Sequence, residues 1–255
     1  MGTVTMATNK TLLVRRDPSR GLRQMLTRFT HLLARDGPLD SLLSLGYYLR
    51  LQVACREKYH VMQHHLKDVG ACAPPAANMI CRLVRHPDDI DGLIRAGYRV
   101  GYLDTQYVRN ALLNDNVLFC VFVDDDVAHN TWVAIGPRSA LDFFTTCVNY
   151  QQAGYITDCY TRPQYRGRRI YPYALAEACK WLRDSGFQRA SLVVQENNAP
   201  SIAAISHAGF EFCGRVRFKR VLFRSQAEVV GTVEGIWRTD RTETVEPQAL
   251  AAKGS

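Results

Sequence analysis

The sequence predicts a mixed α/β (α+β) domain, a mostly antiparallel β-sheet flanked by helices, with a helical extension ahead of it. Three observations carry that prediction. From residue 79 onward, short apolar runs of strand length alternate with segments of helical period, in the order β-α-β-β-β-α-β-α-β(β). Before them, "GACAPPAAN" at 70–78 sets small residues around a double proline, a linker signal. Before the linker, the apolar stretches have helical period. The expected organisation is therefore a helical extension at 1–75, a sheet domain at 76–225 and a flexible C-terminal tail at 226–255, where the periodicity fades.

Residues 1–19 carry no periodic signal and read as disordered. "RGLRQMLTRFTHLLAR" from Arg20 places Leu22, Met25, Leu26, Phe29, Leu32 and Leu33 on one face of a basic amphipathic helix, which "DGP" at 36–38 ends. "LDSLLSLGYYLRLQVAC" then starts an apolar helix with Asp40 as its cap. Its apolar stretch, about 13 residues with Arg50 inside, is short of the roughly 20 that a spanning helix needs. These helices are free to lie on their own domain, on a partner or on an anionic membrane surface.

After the linker, "MICRLVR" (79–85) alternates like a strand, and "HPDDIDGLIRAGYRV" reads as a short helix and its exit. "NVLFCVFVDDDVAHNTWVAIG" (116–136) is two apolar runs around an acidic turn, a β-hairpin. "AGYITDCYT" (153–161) is a strand, 171–185 a helix that Gly186 closes, and 189–195 a strand. Residues 199–209 form a short helix capped by Asn198, and 210–223 is strand material with a turn near Gly214.

Composition narrows the function classes. The net charge of +8 is concentrated in two places: Lys10 to Arg35, with seven basic residues against Asp17, and Arg162 to Arg169, with four arginines and no acid. The remainder is slightly acidic, which argues against a continuous nucleic-acid-binding face. The eight cysteines are scattered, without C-x-x-C pairs or histidine clusters, so neither a zinc site nor a disulfide framework is expected. With no signal peptide visible, the expected location is cytoplasmic, with a peripheral contact to the inner face of a membrane through the 20–55 helices as a further reading.

The stretch "TRPQYRGRRIYPYAL" carries the chemistry. Four arginines (Arg162, Arg166, Arg168 and Arg169) surround Gly167 directly ahead of a helix with Pro172 in its first turn. Such a loop presents backbone N–H groups at the positive end of a helix dipole, which is an anion site before any arginine is counted. Arginines add bidentate, charge-assisted contacts to phosphate. The loop matches neither a P-loop nor a dinucleotide fingerprint.

With "VVQENNAPSIAAISHAGF" downstream, the chain resembles the GNAT-type N-acetyltransferases across about 76–225, most specifically at 155–214. That family's signature is a strand ending at a proline, an R/Q-x-x-G-x-G/A loop, a helix, a strand ending near an asparagine and a helix ending in Gly-Phe. The matching residues are "CYTRPQYRGRRIYPYAL", Asn198 and Gly209-Phe210. The resemblance implies a GNAT-like fold that transfers an acyl group from acetyl-CoA or another acyl-CoA to a primary amine, with no metal. It implies a diphosphate clamp at Arg166, Gly167, Arg168, Arg169 and Ile170. It implies pantetheine contacts from Cys159, Tyr160 and Thr161, with Asn198 and Ser201 on the other side. Asp158 is the first candidate base; His129 is a second candidate, from the facing hairpin; Tyr160 and Ser206 are candidate acids. The expected partners are a small-molecule amine, such as an amino sugar in surface-polysaccharide synthesis, and a second copy of the chain.

Two departures stand out. The small residues of the loop are replaced by Arg169 and Tyr171, and the tyrosine that often protonates the leaving thiolate is Ile205. Two other readings therefore stay open: an acyl-CoA-binding module of the same fold without turnover, and a basic protein that binds polyanions or membrane surfaces.

Overall fold

The computed structural model describes residues 10–15, 54–70, 72–221, 224–231 and 237. In chain order the elements are β1 (Lys10–Arg15), β2 (Ala54–His65), β3 (Met79–Val84), α1 (Pro87–Arg95), α2 (Thr105–Leu112), β4 (Asn116–Val123) and β5 (Asp126–Ala134). There follow β6 (Ala153–Thr161), α3 (Ile170–Asp184), β7 (Arg189–Gln195), α4 (Ala199–His207), β8 (Glu211–Val221) and β9 (Arg224–Gly231). Two compact units result. The larger holds His60–Gly214 and Thr232–Arg238; the smaller holds Met1–Tyr59, Arg215–Gly231 and Thr239–Ser255.

In the smaller unit, β1 and β9 pair antiparallel, from Lys10↔Val229 to Arg15↔Arg224. This corrects two expectations: 10–15 is not disordered, and the expected tail is a strand up to Gly231. Neither strand carries a long apolar run, and β1 is held by a partner far along the chain and not by local pattern. The basic helix expected at 20–35, and all but the last two residues of the apolar helix after it, lie outside the described residues. Those two, Ala54 and Cys55, begin β2.

In the larger unit, the strands or their parts lie side by side in the order β8, β2, β7, β6, β5, β4, β3. β3 to β6 are antiparallel neighbours, and β6 and β7 are parallel. The sheet is thus mixed and mostly antiparallel, with helices on its faces. Every residue of β4 is buried, as are all of β5 after Asp126. Strands covered on both faces need no polar alternation, which is why "VLFCVFV" is unbroken.

One face carries α3 and α4: Leu175, Ala178, Cys179 and Leu182 pack with Ile205, Phe210, Phe119, Ile156, Leu192 and Met62. The opposite face carries α1 and α2: Ile90, Val108 and Leu112 pack on Leu118, Cys120, Phe122 and Trp132. β2, read as part of a helical extension, is an inner strand whose Val61 and Met62 are both buried. Its "REK" start hides that pattern.

Local chemistry sets the ends. Asp89 Oδ2 accepts from the amides of Arg85 (2.7 Å) and His86 (2.9 Å), opening α1 in a capping box. Asp104 accepts from the Tyr107 amide at 3.1 Å and opens α2, an element too short for a periodic signal and not expected from the sequence. Arg109 of α2 ties the pair by donating to Asp91 of α1 at 2.6 Å. The β4–β5 turn uses Asp124 at φ 54, braced by Asn78. Gly186, at φ 89, closes α3 as expected.

Among the described residues, no helix is long and apolar enough to cross a membrane, and no group of three or more His, Cys, Asp or Glu could hold a metal ion. Seven described cysteines are free thiols; burial pushes those of Cys120 and Cys179 up to about 12.

Gly154 on β6 lets α3 lie close: a Cβ there would overlap the Leu182 side chain. Gly154→Ala is expected to cost about 1–3 kcal/mol through overpacking. In urea unfolding, adding Leu182→Ala should leave a double variant more stable than the sum of the two single losses. Strict additivity would show that the close approach is not what Gly154 serves.

Candidate functional site

β6 pairs with its two neighbours over different lengths. Against β7 the parallel register runs from Ala153↔Arg189 to Ile156↔Leu192 and stops, although β6 continues to Thr161 and β7 to Gln195. Against β5 it continues through Trp132↔Thr157 to Asn130↔Tyr160 and His129↔Thr161. Between these pairs Asp158 and Cys159 lie opposite the single Thr131, a β-bulge with Asp158 in the left-handed region at φ 48. The Asn130 side chain fixes the bulge by donating to the Asp158 carbonyl at 3.0 Å. The sheet therefore opens as a V between β6 and β7, with its apex at Ile156.

The chain leaves the open end of β6 into the arginine loop. Gly167 (φ 78) and Arg169 (φ 58) are both left-handed, and they turn the loop into α3. Among the described residues, none accepts a hydrogen bond from the backbone amides of 167–171. These amides converge with the start of a 15-residue helix, a place suited to negative charge. Arg169 takes the conformation that a glycine would take more cheaply, so the replaced small residue changes the side chain without changing the loop's turn.

The four arginines divide. Arg162 is a structural pin: its guanidinium donates to Asp126 Oδ2 at 2.8 Å and to the Val127 carbonyl at 2.9 Å, and lies over the rings of Tyr102 and Tyr165. Burial raises the Asp126 carboxyl, but the hydroxyl of Tyr165 and the Arg162 guanidinium outweigh it and leave its pKa below the usual range. Arg166, Arg168 and Arg169 are exposed. Arg166 Nε donates to the Thr161 carbonyl at 3.1 Å, and its guanidinium lies over Tyr160; that of Arg168 lies over Tyr165.

The other expected site residues fall on two faces. On the α3 face, His129 is buried: Nδ1 is 2.7 Å from Thr161 Oγ1 and Nε2 is 2.6 Å from Thr131 Oγ1, and the ring lies beside Tyr171. Burial lowers its pKa to about 3. The imidazole is neutral and both nitrogens are taken, so this candidate base is engaged as a structural histidine. Burial pushes the Cys159 thiol up to about 12, opposed by its hydrogen bonds with Thr131 and Tyr171. The Ile170 side chain is core, so only its backbone faces the loop. Asn198 caps α4, its Oδ1 accepting from the Ser201 amide at 3.3 Å. Ile205 is fully buried, and Ser206 is exposed.

On the face that α1 and α2 cover, Tyr160 stacks on Tyr102, with centroids 5.5 Å apart and planes 11° from parallel. The sequence reading did not single out Tyr102, Thr157 or Asp142. Thr157, the first β6 residue past the apex, donates to Asp142 Oδ2 at 2.6 Å. Tyr155 donates to the same oxygen at 3.1 Å, and the Thr145 amide to Oδ1 at 2.9 Å. Burial raises the Asp142 pKa above its ordinary value, opposed by these hydrogen bonds, Thr157 first. The one sequence signal for it is an acid inside "ALDFF", the same kind of signal that marks Asp158 in its strand.

Residues 92–210 match the model of the acetyltransferase (GNAT) family. Among solved structures, the fold is similar to a GCN5-related N-acetyltransferase from Kribbella flavida (12% identity, TM-score 0.42, covering 74% of this chain and 64% of that one). It is also similar to a GNAT-family acetyltransferase from Colwellia psychrerythraea (13%, 0.42, 85% and 75%). A third is a GNAT-family acetyltransferase from Novosphingobium aromaticivorans (13%, 0.41, 69% and 65%). The chain thus spans just under two thirds of the Kribbella and Novosphingobium proteins. No curated protein sequence matches this chain.

Because the His129 pKa in the folded state, about 3, lies below the ordinary 6.5, the unfolded chain binds more protons between these values. The stability that His129 contributes is therefore whole above pH 6.5 and is lost as the pH falls towards 3. Melting temperatures of wild type and His129→Gln, measured down that range, should converge as the pH falls. Parallel curves would mean that His129 is not buried neutral.

Proposed function

We propose that this chain, whose residues 92–210 match the GNAT acetyltransferase family model, is an acyl-CoA-dependent N-acyltransferase that carries an acetyl group to a primary amine of a small molecule. One observation carries the reading: the β6–β7 ladder ends at Ile156↔Leu192 in the same segment of chain that runs on into the amides of 167–171, which have no acceptor among the described residues. The family uses acetyl-CoA generally, and the residues present fit it. The amides of 167–171, with the exposed Arg166, Arg168 and Arg169, suit a diphosphate. The gap past the apex, edged by 157–161 of β6, suits the narrow pantetheine arm. Bound there, acetyl-CoA supplies an activated acyl carbon. Asn198 and Ser201, at the start of α4, are proposed to meet the arm from the β7 side.

The acceptor is proposed to reach the acyl carbon from the α1–α2 face, where Tyr102 and Tyr160 form a half-buried aromatic surface beside the bulge. An amino sugar, with an apolar ring face and one amine, suits such a surface. A second reading, cofactor binding without turnover, draws on Ile205, which is sealed in the core where many relatives carry the acid for the leaving thiolate. A thiol needs less help than most leaving groups, since an ordinary thiolate is stable near pH 8.5.

The test is thermal shift with coenzyme A, acetyl-CoA and 3′-dephospho-coenzyme A, then thiol release in the presence of an amine panel. Acetyl-CoA should raise the melting temperature, by about 2.7 kcal/mol of stabilisation at 100 times Kd. Arg166→Ala with Arg169→Ala should remove most of that gain. Binding without thiol release would select the second reading, and no shift at saturating acetyl-CoA would end both.

A further inference from the structure

The acceptor amine needs a proton taken from it as it bonds to the acyl carbon, and the two histidine nitrogens nearest the bulge are already engaged by Thr131 and Thr161. We propose that Thr157 and Asp142 form the proton relay for the amine, with Thr157 as the group that touches it and Asp142 as the carboxylate behind. The proposal rests on the acyltransfer reading above and assigns to it a pair of residues that the family signature does not contain.

Three features of the fold converge on Thr157. It is the first residue of β6 beyond the point where β7 departs, so it stands just past the apex of the V. It lies across from Trp132, whose ring belongs to the α1–α2 core, and next to Ile156, whose side chain belongs to the α3 core. Its hydroxyl therefore points to the face opposite α3. An acyl chain anchored at the start of α3 and passed between β6 and β7 emerges on that opposite face. Finally, Thr157 is half-buried and not sealed in the core, and its proton is committed to Asp142 at 2.6 Å.

Asp142 is built to stay in place. The Thr145 amide holds Oδ1, and Tyr155 and Thr157 hold Oδ2 from β6. The titratable groups that interact with it are Cys147 from its own loop and Tyr155 from β6, which in turn feels Tyr150. Burial raises Cys147 to about 11 and Tyr155 well above its ordinary value, so both stay neutral through the working range. His129 is on the other face and neutral. A carboxyl raised from its ordinary value by burial is a stronger base than an exposed one, which suits it to hold a proton in passing.

The step balances without a further reagent. The amine lone pair bonds to the acyl carbon while Thr157 Oγ1 takes the amine proton and hands its own to Asp142 Oδ2. The carbon–sulfur bond breaks with its electron pair going to sulfur. The proton returns from Asp142 through Thr157 to that thiolate, giving the amide and the free thiol. The return path also supplies the acid that Ile205 lacks.

The experiment uses the full chain, acetyl-CoA, and two acceptors: glucosamine and water alone. Asp142→Asn keeps the shape and the Thr145 contact, and should lower thiol release by a factor of about 10² to 10⁴ while leaving the acetyl-CoA thermal shift intact. It should also remove the acidic limb of the kcat/KM profile. Thr157→Val should match that loss, and Thr157→Ser should recover most of it. Without any ligand, the carbon-13 signal of the Asp142 carboxyl should titrate above 3.8, and higher still in Thr157→Val, since the hydrogen bond from Thr157 opposes the rise. Three results overturn the relay: an acidic limb that survives Asp142→Asn and vanishes in Asp158→Asn, a carboxyl that titrates at its ordinary value, or acetyl-CoA that binds but releases no thiol to either acceptor. Failure of acetyl-CoA to bind wild type is a different result, which ends the acyltransfer reading and the relay with it.

Discussion

The constraint on which the site depends is the unequal pairing of one strand. β6 keeps its ladder with β5 to Thr161 but loses its ladder with β7 after Ile156. Sheets ordinarily satisfy both edges of an inner strand, because an unpaired backbone group away from water is costly. Here a single extra residue at the bulge lets β6 bend away without giving up β5, and Asn130 holds the Asp158 carbonyl at the bend. The left-handed backbone of Asp158 is tolerable because aspartate is among the few residues that adopt it readily. From this one irregularity follow the gap, the exit of the chain into the arginine loop, and the separation of residues 156–161 onto two faces.

The two faces then take different chemistry. Under α3, His129, Thr131, Cys159, Thr161 and Tyr171 form a closed polar cluster in which each partner is neutral. A charged histidine there would lack a counterion, and burial removes the charge instead. Such a cluster fixes the bulge from below and leaves no proton to exchange near neutral pH. The other face holds a carboxylate, hydroxyls and a stacked tyrosine pair, half-open to solvent. The side with exchangeable protons is thus the side that α3 does not cover.

The arginine loop shows how charge and scaffold are shared within one short segment. Arg162 spends its guanidinium on Asp126 and two tyrosine rings, which anchors the loop to the β5 end of the hairpin. The three arginines after it remain exposed around left-handed Gly167 and Arg169. Four like charges in eight residues are compatible with a fixed loop because one is neutralised by an acid and two lie over aromatic rings.

By itself the sequence determined what is local. The apolar runs of β4 and β5, the helix from 171 with Gly186 closing it, the Asn198 cap and the arginine loop ahead of a helix are all written in neighbouring residues. Their period and end chemistry act over a few positions, and the structure has each of them. What the sequence left undetermined is what depends on distant pairing. β1 and β2 are strands because of partners far along the chain, and charged or mixed patterns such as "REK" give no sign of it. α2 is too short to show a period. His129 opens the polar run His-Asn-Thr between apolar residues and Asp142 is a single acid in "ALDFF", and neither pattern says what will cover the side chain. Only the tertiary structure decides that one is sealed between two threonines under α3 and the other stands behind a hydroxyl just past the apex of the V. The reason is that burial, and with it the protonation state, is fixed by what packs over a side chain from elsewhere in the fold.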